Sequence, residues 1–457
     1  MKKHFANNII ILGYGLVGKS VLRLLKKEID FDFNKLYVIE QNKEDLEQFL
    51  LEGGKKENYL VHKVTFENYK EIYSKYLNKG DALLDFSEGI KNIDSFSWCL
   101  EKGVYYLSTS ESCWPHEDSS FSLYANFVEI KKLRKKYKRG YPSTVLQYGC
   151  NPGLVSTYAK LALHEIINCS THEDIVNKKT FLLDLIKQDK YAQVAKLLEI
   201  ETIIISDHDT SSVNGLDDKN TTLYNTWSPS GLYDEAFSRV ELSLGTNFNH
   251  SKILKSVYKY NQKDGYCMLN KIGVETLEET YAPNGKFFGH IIAHEETISL
   301  GSYFALTNIF KKLKYMPSVY FIYRPSEIAL SGLAKAKLSG NKAPTSYVRL
   351  SDTLTRGEEY VGVIMHSSKY GNYYLGSGVE INKLRSVYPQ ETPTIIQVTA
   401  SCVAAFKWMI DHPYEGIVLP EEIPVEFIVK NTKKYLGDYV FEKIDEDIIP
   451  LNSLFDN

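Results

Sequence analysis

The sequence has no C-x-x-C pair, no unbroken apolar run of membrane-spanning length, no internal repeat, no low-complexity linker and almost no excess of charge. Six cysteines (Cys99, Cys113, Cys150, Cys169, Cys267 and Cys402) are scattered over 457 residues. That scatter argues against a zinc ribbon or a disulfide framework and fits a reducing compartment. The apolar run behind the first lysines is only about four residues long, whereas a signal-peptide core needs roughly 7–15. Nothing approaches the ~18 consecutive apolar residues of a membrane span. A soluble, cytoplasmic protein without a structural metal is expected. The net charge of −3 gives no general attraction to nucleic acid or anionic lipid, so neither is expected as a partner. The one basic run, KKLRKKYKR at 131–139, ends a helical segment, where cations are favourable.

What is present is a globular balance, 43 % hydrophobic and 24 % charged, in a chain longer than one core usually serves. Over the first 150 residues short apolar runs alternate with amphipathic stretches. NIIIL (8–12), LYVIE (36–40), YLVH (59–62), ALLDFS (82–87), VYYLS (104–108) and TVLQ (144–147) read as strands, and LVGKSVLRLLKKE (16–28) as a helix. The fold class this implies is α/β, a doubly wound parallel sheet covered on both faces. Beyond residue 150 the texture changes. A helical stretch (153–198) leads into ETIIIS (201–206), RVELSL (239–244), GYCMLN (265–270), SVYFIY (318–323) and a hairpin over 360–379 turning near Gly371. This predicts a second α+β domain with a largely antiparallel sheet. The expected division is a nucleotide-binding domain over 1–150, completed by about 385–457, and a second domain over 151–384. The apolar segment 394–412 is expected to pack back onto the first domain.

Gly13-Tyr14-Gly15-Leu16-Val17-Gly18 is a G-x-G-x-x-G that follows a strand and opens a helix, the context its mechanism requires. The first glycine permits the tight turn, the second lets backbone approach a pyrophosphate, and the third lets helix pack on strand. The helix N-terminus then offers N–H groups to the phosphates. Glu40 closes the second strand, about 20 residues past the last glycine, where a carboxylate accepts the adenosine ribose hydroxyls and repels a 2′-phosphate. Gln41 and Asn42 bring no arginine, so NAD is expected as cofactor.

Polar residues follow the strand ends where ligands of open α/β sheets bind. Ser87-Glu88 follows the fourth strand, Ser108-Thr109-Ser110-Glu111 the fifth, and Asn151-Pro152-Gly153 the sixth. Ser87, Thr109 and Asn151 are candidates on the cofactor side. Further along, Asp207-His208-Asp209 follows ETIIIS, Asn225-Thr226-Trp227-Ser228 precedes Glu235, and His294-Glu295-Glu296 interrupts an apolar run. Any one of these acids alone reads as a solvated loop; six such places on one chain point to a pocket built for cations.

The segments GYGLVGKS, S-T-S-E at 108–111, CNPGLVS at 150–156, NTWSPSGLYDEA at 225–236 and AHEETISLG at 293–301 together resemble bacterial homospermidine synthase, of the wider saccharopine dehydrogenase-like group, over nearly the whole chain. The resemblance implies an NAD-dependent transferase that joins two putrescines, or spermidine and putrescine, into homospermidine. Hydride leaves the amine-bearing carbon and returns to a new imine, with no net redox change. It implies that Trp227 stacks on a substrate ammonium, that Glu235 holds or guides an amine, and that Glu88, Glu111, Asp207 and Glu296 form an anionic wall. It places Asn151 on the reacting amine and His294 at the reaction centre, each as a partner without negative charge, with His294 as proton shuttle. It also implies a homodimer.

Two other readings stay open on sequence alone. A saccharopine dehydrogenase-like oxidoreductase acts on amino acids, whose carboxylates call for Arg or Lys, and the candidate pocket is acidic. A non-catalytic NAD sensor needs only the glycine loop and Glu40.

Overall fold

The computed structural model describes residues 2–117, 121–214, 222–248, 257–448 and 451. Its apolar runs of the N-terminal third become parallel strands with both faces covered. Ile9–Leu12 is buried at all four positions and lies between Leu36–Glu40 and Ala82–Asp85, parallel to both. Tyr59–Val61 follows outward on one side. Tyr105–Ser108, Thr144–Val145 and Ile417–Val418 follow on the other. This seven-stranded sheet is parallel throughout. Strand order reverses between Ile9–Leu12 and Ala82–Asp85, so the crevice for a ligand opens where those two strands end. Helix Leu16–Glu28 buries Val21, Leu22, Leu24 and Leu25 against the sheet.

The chain forms two compact units, Met1–Leu154 with Ile395–Tyr435, and Val155–Thr394 with the residues from Leu436 on. In the first unit, Pro393–Asp411 is the one described helix long and apolar enough to cross a membrane by length and composition; 89 % of that window is buried within the fold, as in a core helix. Its Lys407 donates to Glu28 Oε2 at 2.9 Å, and Lys434 and Tyr435 also reach the Glu28 carboxylate. Burial alone would raise the Glu28 pKa, but these three donors outweigh it and bring the group down to about 2. The basic run falls at the end of helix Leu123–Lys136, and three of its cations pair within their own unit: Arg134 with Glu422, Lys136 with Glu101 and Arg139 with Glu415.

The second unit is built on a ten-stranded mixed sheet. Thr202–Asp209 is parallel to Ser318–Arg324 and antiparallel to Glu358–Ser367; every other pairing in the sheet is antiparallel. Glu358–Ser367 and Gly371–Glu380 form the expected hairpin. Ser318–Arg324 carries Arg239–Ser243 and Gly285–Ile292 along its other edge. The tail differs from expectation. Val440–Ile444 pairs with Gly371–Glu380 and so joins the second unit, because the hairpin leaves an edge of unpaired N–H and C=O groups that another strand can satisfy.

Candidate active site

The glycine loop is a backbone device. Gly13 has φ +87°, and a Cβ there would lie 2.7 Å from the Phe86 carbonyl oxygen. Only glycine fits both constraints. A Cβ on Gly18 would lie 2.3 Å from the Gly13 oxygen, so helix and turn are in contact. Gly15 begins helix Leu16–Glu28 with no side-chain cap and no acid in the first turn, which leaves its N–H groups available to an anion. Leu16 and Val17 are half-buried there. Tyr14 contributes its backbone, since its ring is buried edge-on against Phe49 and Tyr59. The Tyr14 N–H donates to Glu40 Oε2 at 2.8 Å and the Gln41 N–H to Glu40 Oε1 at 2.7 Å. The carboxylate is thus fixed with lone pairs still open. The cation of the helix's first turn, Lys19, is held by Asp45 at 2.5 Å.

Along the carboxyl edge of the same sheet, Ser87 donates to Asp85 Oδ1 at 2.6 Å, and burial pushes the Asp85 carboxyl up. Glu88 is exposed and Thr109 half-buried. Glu111 is clamped by amides, Asn126 Nδ2 at 2.5 Å and Gln147 Nε2 at 2.9 Å. Half-buried Asn151 sits in a tight loop closed by the Gly149 N–H on the Pro152 oxygen at 2.7 Å. Gly153, at φ +124°, would place a Cβ 2.5 Å from the Gly149 oxygen.

The second unit gathers a different kind of site. Asp207 and Asp209 are two apart on one strand and so face the same way. His208 faces the other, stacked on Phe287 at 4.1 Å. Asp209 accepts from the Ser211 N–H at 2.7 Å and Thr226 Oγ1 at 3.1 Å, and burial raises its pKa. The next residue, Trp227, donates its indole N–H to the Tyr323 hydroxyl at 3.2 Å. Ser228 caps helix Pro229–Phe237 through the Gly231 N–H, with proline in the first turn. The helix therefore starts at a fixed place and delivers Glu235 to His294.

His294 leaves strand Gly285–Ile292 and is packed edge-on against Phe321 at 5.1 Å. Carboxylates face both ring nitrogens. Nδ1 lies 2.5 Å from Glu296 Oε2 and 3.2 Å from Glu295 Oε2, and Nε2 lies 4.0 Å from Glu235 Oε1. Burial opposes a charge on the ring, but Glu296 and Glu295 outweigh it and push His294 up to about 10. At neutral pH the ring is therefore held as an imidazolium. For Glu235 burial is the larger influence. Against the attraction of His294, it pushes the carboxyl up to about 8. Glu235 Oε2, Glu296 Oε1 and the fully buried Asn225 Oδ1 have no hydrogen-bond partner. Asn225 Oδ1 and Glu296 Oε1 are acceptors, and Glu235 becomes one when it loses its proton, so N–H donors on a ligand would complement them. His294, Glu295 and Glu296 present ligand atoms within 4.8 Å of one another, a set that could also hold a cation. The Nδ1 proton on Glu296 competes with a metal for the same lone pair.

Thus the second unit brings Glu235, His294 and Glu296 into one cluster and links Trp227 to it along Phe321 and Tyr323, whose rings are stacked at 5.8 Å. Sequence reasoning missed Tyr323, Asp209, Glu359 and Glu295 as site residues. Period two from Asp207 could have found Asp209, and adjacency Glu295. Tyr323 and Glu359 have no local signal, because the strand register alone sets Tyr323 beside Asp207 and Glu359 beside Asp209.

Comparison with known proteins agrees with this layout. The family model of the saccharopine dehydrogenase NADP-binding domain matches residues 9–144. Homospermidine synthase of Mesorhizobium japonicum is 25 % identical over 441 residues, 94 % of this chain and 88 % of that protein. Homospermidine synthase of Blastochloris viridis is 23 % identical, covering 94 % and 90 %. The crystal structure of homospermidine synthase from Legionella pneumophila in complex with NAD superposes with a TM-score of 0.86 at 26 % identity, covering 99 % of this chain and 94 % of that one. The apo saccharopine dehydrogenase (L-Glu forming) of Saccharomyces cerevisiae shares the fold, with a TM-score of 0.53 at 12 % identity over 96 % of this chain and all of that one. This chain is thus similar over nearly its whole length to homospermidine synthases, and its residues 9–144 match the saccharopine dehydrogenase NADP-binding domain.

Proposed function

We propose that the protein is an NAD-dependent homospermidine synthase acting on putrescine, or on spermidine and putrescine. The carrying observation is the buried His294 cluster, in which Glu235 and Glu296 each keep one oxygen without a hydrogen-bond partner. A diamine in its ammonium form supplies such donors, whereas an amino-acid carboxylate would meet the Glu295 and Glu296 carboxylates that already hold the His294 charge.

Gly13, Gly15, Gly18 and Glu40 suit the cofactor, with Ser87, Thr109 and Asn151 beside the same strand ends. A fixed Glu40 carboxylate favours a ribose with a free 2′-hydroxyl over a 2′-phosphate, and Lys19 is already spent on Asp45. Bound NAD would accept hydride from the amine-bearing carbon and return it later. The chain's own residues handle charge and protons. An aliphatic amine arrives protonated, with a pKa of about 10.4, yet hydride loss needs a free lone pair. The His294 imidazolium disfavours a second cation at the reacting nitrogen and so keeps that end neutral. Asn151 can hydrogen-bond a neutral amine without adding charge. Glu235 releases its proton to solvent as an ammonium arrives and then pairs with it as a carboxylate, and Trp227 offers its ring face to the same charge. Glu88, Glu111, Asp207 and Glu296 supply the anionic surroundings. His294 enters the cycle as an acid, able to protonate a departing amine.

The homodimer rests on the family resemblance and the cytoplasmic location on the scattered, unpaired pattern of cysteines; light scattering tests the former. Incubation with putrescine and NAD⁺ tests the activity. Homospermidine without accumulating NADH is expected. Stoichiometric NADH from an amino acid would instead mark a dehydrogenase, and neither product a nucleotide sensor.

A further inference from the structure

Strand Ser318–Arg324 sends Phe321 and Tyr323 to the same face, stacked at 5.8 Å and 15°. Phe321 packs on His294 and Tyr323 receives the indole N–H of Trp227. Gly285–Ile292, the strand that leads into His294, runs beside it in register, His290 against Tyr323 and Ile292 against Phe321. One short stretch of backbone therefore positions both the imidazole and the indole.

The indole is held from two sides. A Cβ on Gly231 would come within 2.7 Å of Trp227 Cζ3, so the helix backbone bounds its six-membered ring. The Tyr323 hydroxyl, 3.2 Å from Nε1, anchors the opposite, nitrogen-bearing side. Trp227 remains half-buried. Tyr323 itself is buried, and Asp207 and Asp209 on the adjacent strand, with Glu359 one strand further, present negative charge to its hydroxyl. Burial and those charges keep it a neutral O–H, with a lone pair for the indole. Donation from the indole N–H also leaves more electron density on the ring, which strengthens its hold on a cation.

We infer that Tyr323 is a positioning residue that acts through Trp227, fixing the indole face on which a substrate ammonium docks. The inference rests on the diamine reading above. In that reading Tyr323 serves the substrate and not the cofactor, and its effect vanishes when the indole N–H is gone.

A kinetic cycle over wild type, Tyr323→Phe, Trp227→Phe and the double variant tests this, with putrescine KM, kcat and NAD affinity measured in each. Tyr323→Phe is expected to raise KM about five- to tenfold, the loss of one buried hydrogen bond, with kcat little changed and NAD affinity unchanged. In the Trp227→Phe background, which has no indole N–H, the same change is expected to add less than about twofold. An equal penalty in both backgrounds, or a wild-type KM for Tyr323→Phe, would overturn the assignment. The Trp227 emission, isolated by difference against Trp227→Phe, reports the contact without substrate and is expected to shift in Tyr323→Phe; an unmoved spectrum also overturns it. Failure of wild type to make homospermidine from putrescine would instead refute the diamine reading, and the emission would still decide the Trp227–Tyr323 contact.

Discussion

The nucleotide loop of the first unit and the charged cluster of the second both await charged ligands, and they are made in opposite ways. The loop is backbone: Gly13 and Gly18 lack the Cβ that contact distances forbid, and uncapped N–H groups carry the positive end of a helix dipole. The cluster is side chain: His294 and Glu235 meet Glu295 and Glu296 in a buried place that shifts the protonation of both His294 and Glu235. The first cannot titrate; the second holds protons that move with pH and ligand. A hydride carrier needs a fixed cradle, and an amine that must be charged at one end and neutral at the other needs a site that can exchange protons.

That contrast can be broken in order of expected effect. His294→Ala should cost about 10²–10⁴ in kcat with NAD affinity kept, whereas Gly13→Ala should weaken NAD binding about 10–100-fold through backbone strain. Titration of NAD fluorescence beside steady-state kinetics separates the two, and a His294 variant that loses NAD would merge sites the account keeps apart. Trp227→Ala should lose up to ~30-fold in kcat/KM and Trp227→Phe only a few-fold, because a π face is what matters; equal losses would remove the cation–π contact. The smallest effect concerns pH. Glu235 is pushed up to about 8 by burial, so below pH 8 it is mostly neutral and must release a proton to pair with an ammonium. Putrescine affinity should therefore rise roughly fivefold from pH 7 to 8, with proton release in calorimetry run in buffers of different ionisation enthalpy. Glu235→Gln should flatten that rise.

The same contrast explains what could be read from the sequence. The loop and Glu40 are local, since spacing, a preceding strand and a following helix determine them, and the parallel sheet follows from doubly buried runs such as IIIL at 9–12. Trp227, Glu235, His294 and Glu296 were legible through short segments of family likeness. Tyr323 and Glu359 were not, because only the pairing of distant strands brings them beside Asp207 and Asp209. The charge on His294 was not legible either. A histidine's protonation depends on what faces it, and Glu235 reaches it from another element. The tail strand Val440–Ile444 escaped for a related reason, since its partner is the edge of a hairpin some 60 residues back in the chain.

The central claim is that hydride leaves one amine-bearing carbon and comes back to it within a single catalytic cycle. Putrescine deuterated at both amine-bearing carbons, turned over with unlabelled NAD⁺ in ordinary water, tests this by mass spectrometry. The account predicts homospermidine that retains every deuterium. A product with one deuterium replaced by hydrogen, or deuterium accumulating in free NADH, would contradict it.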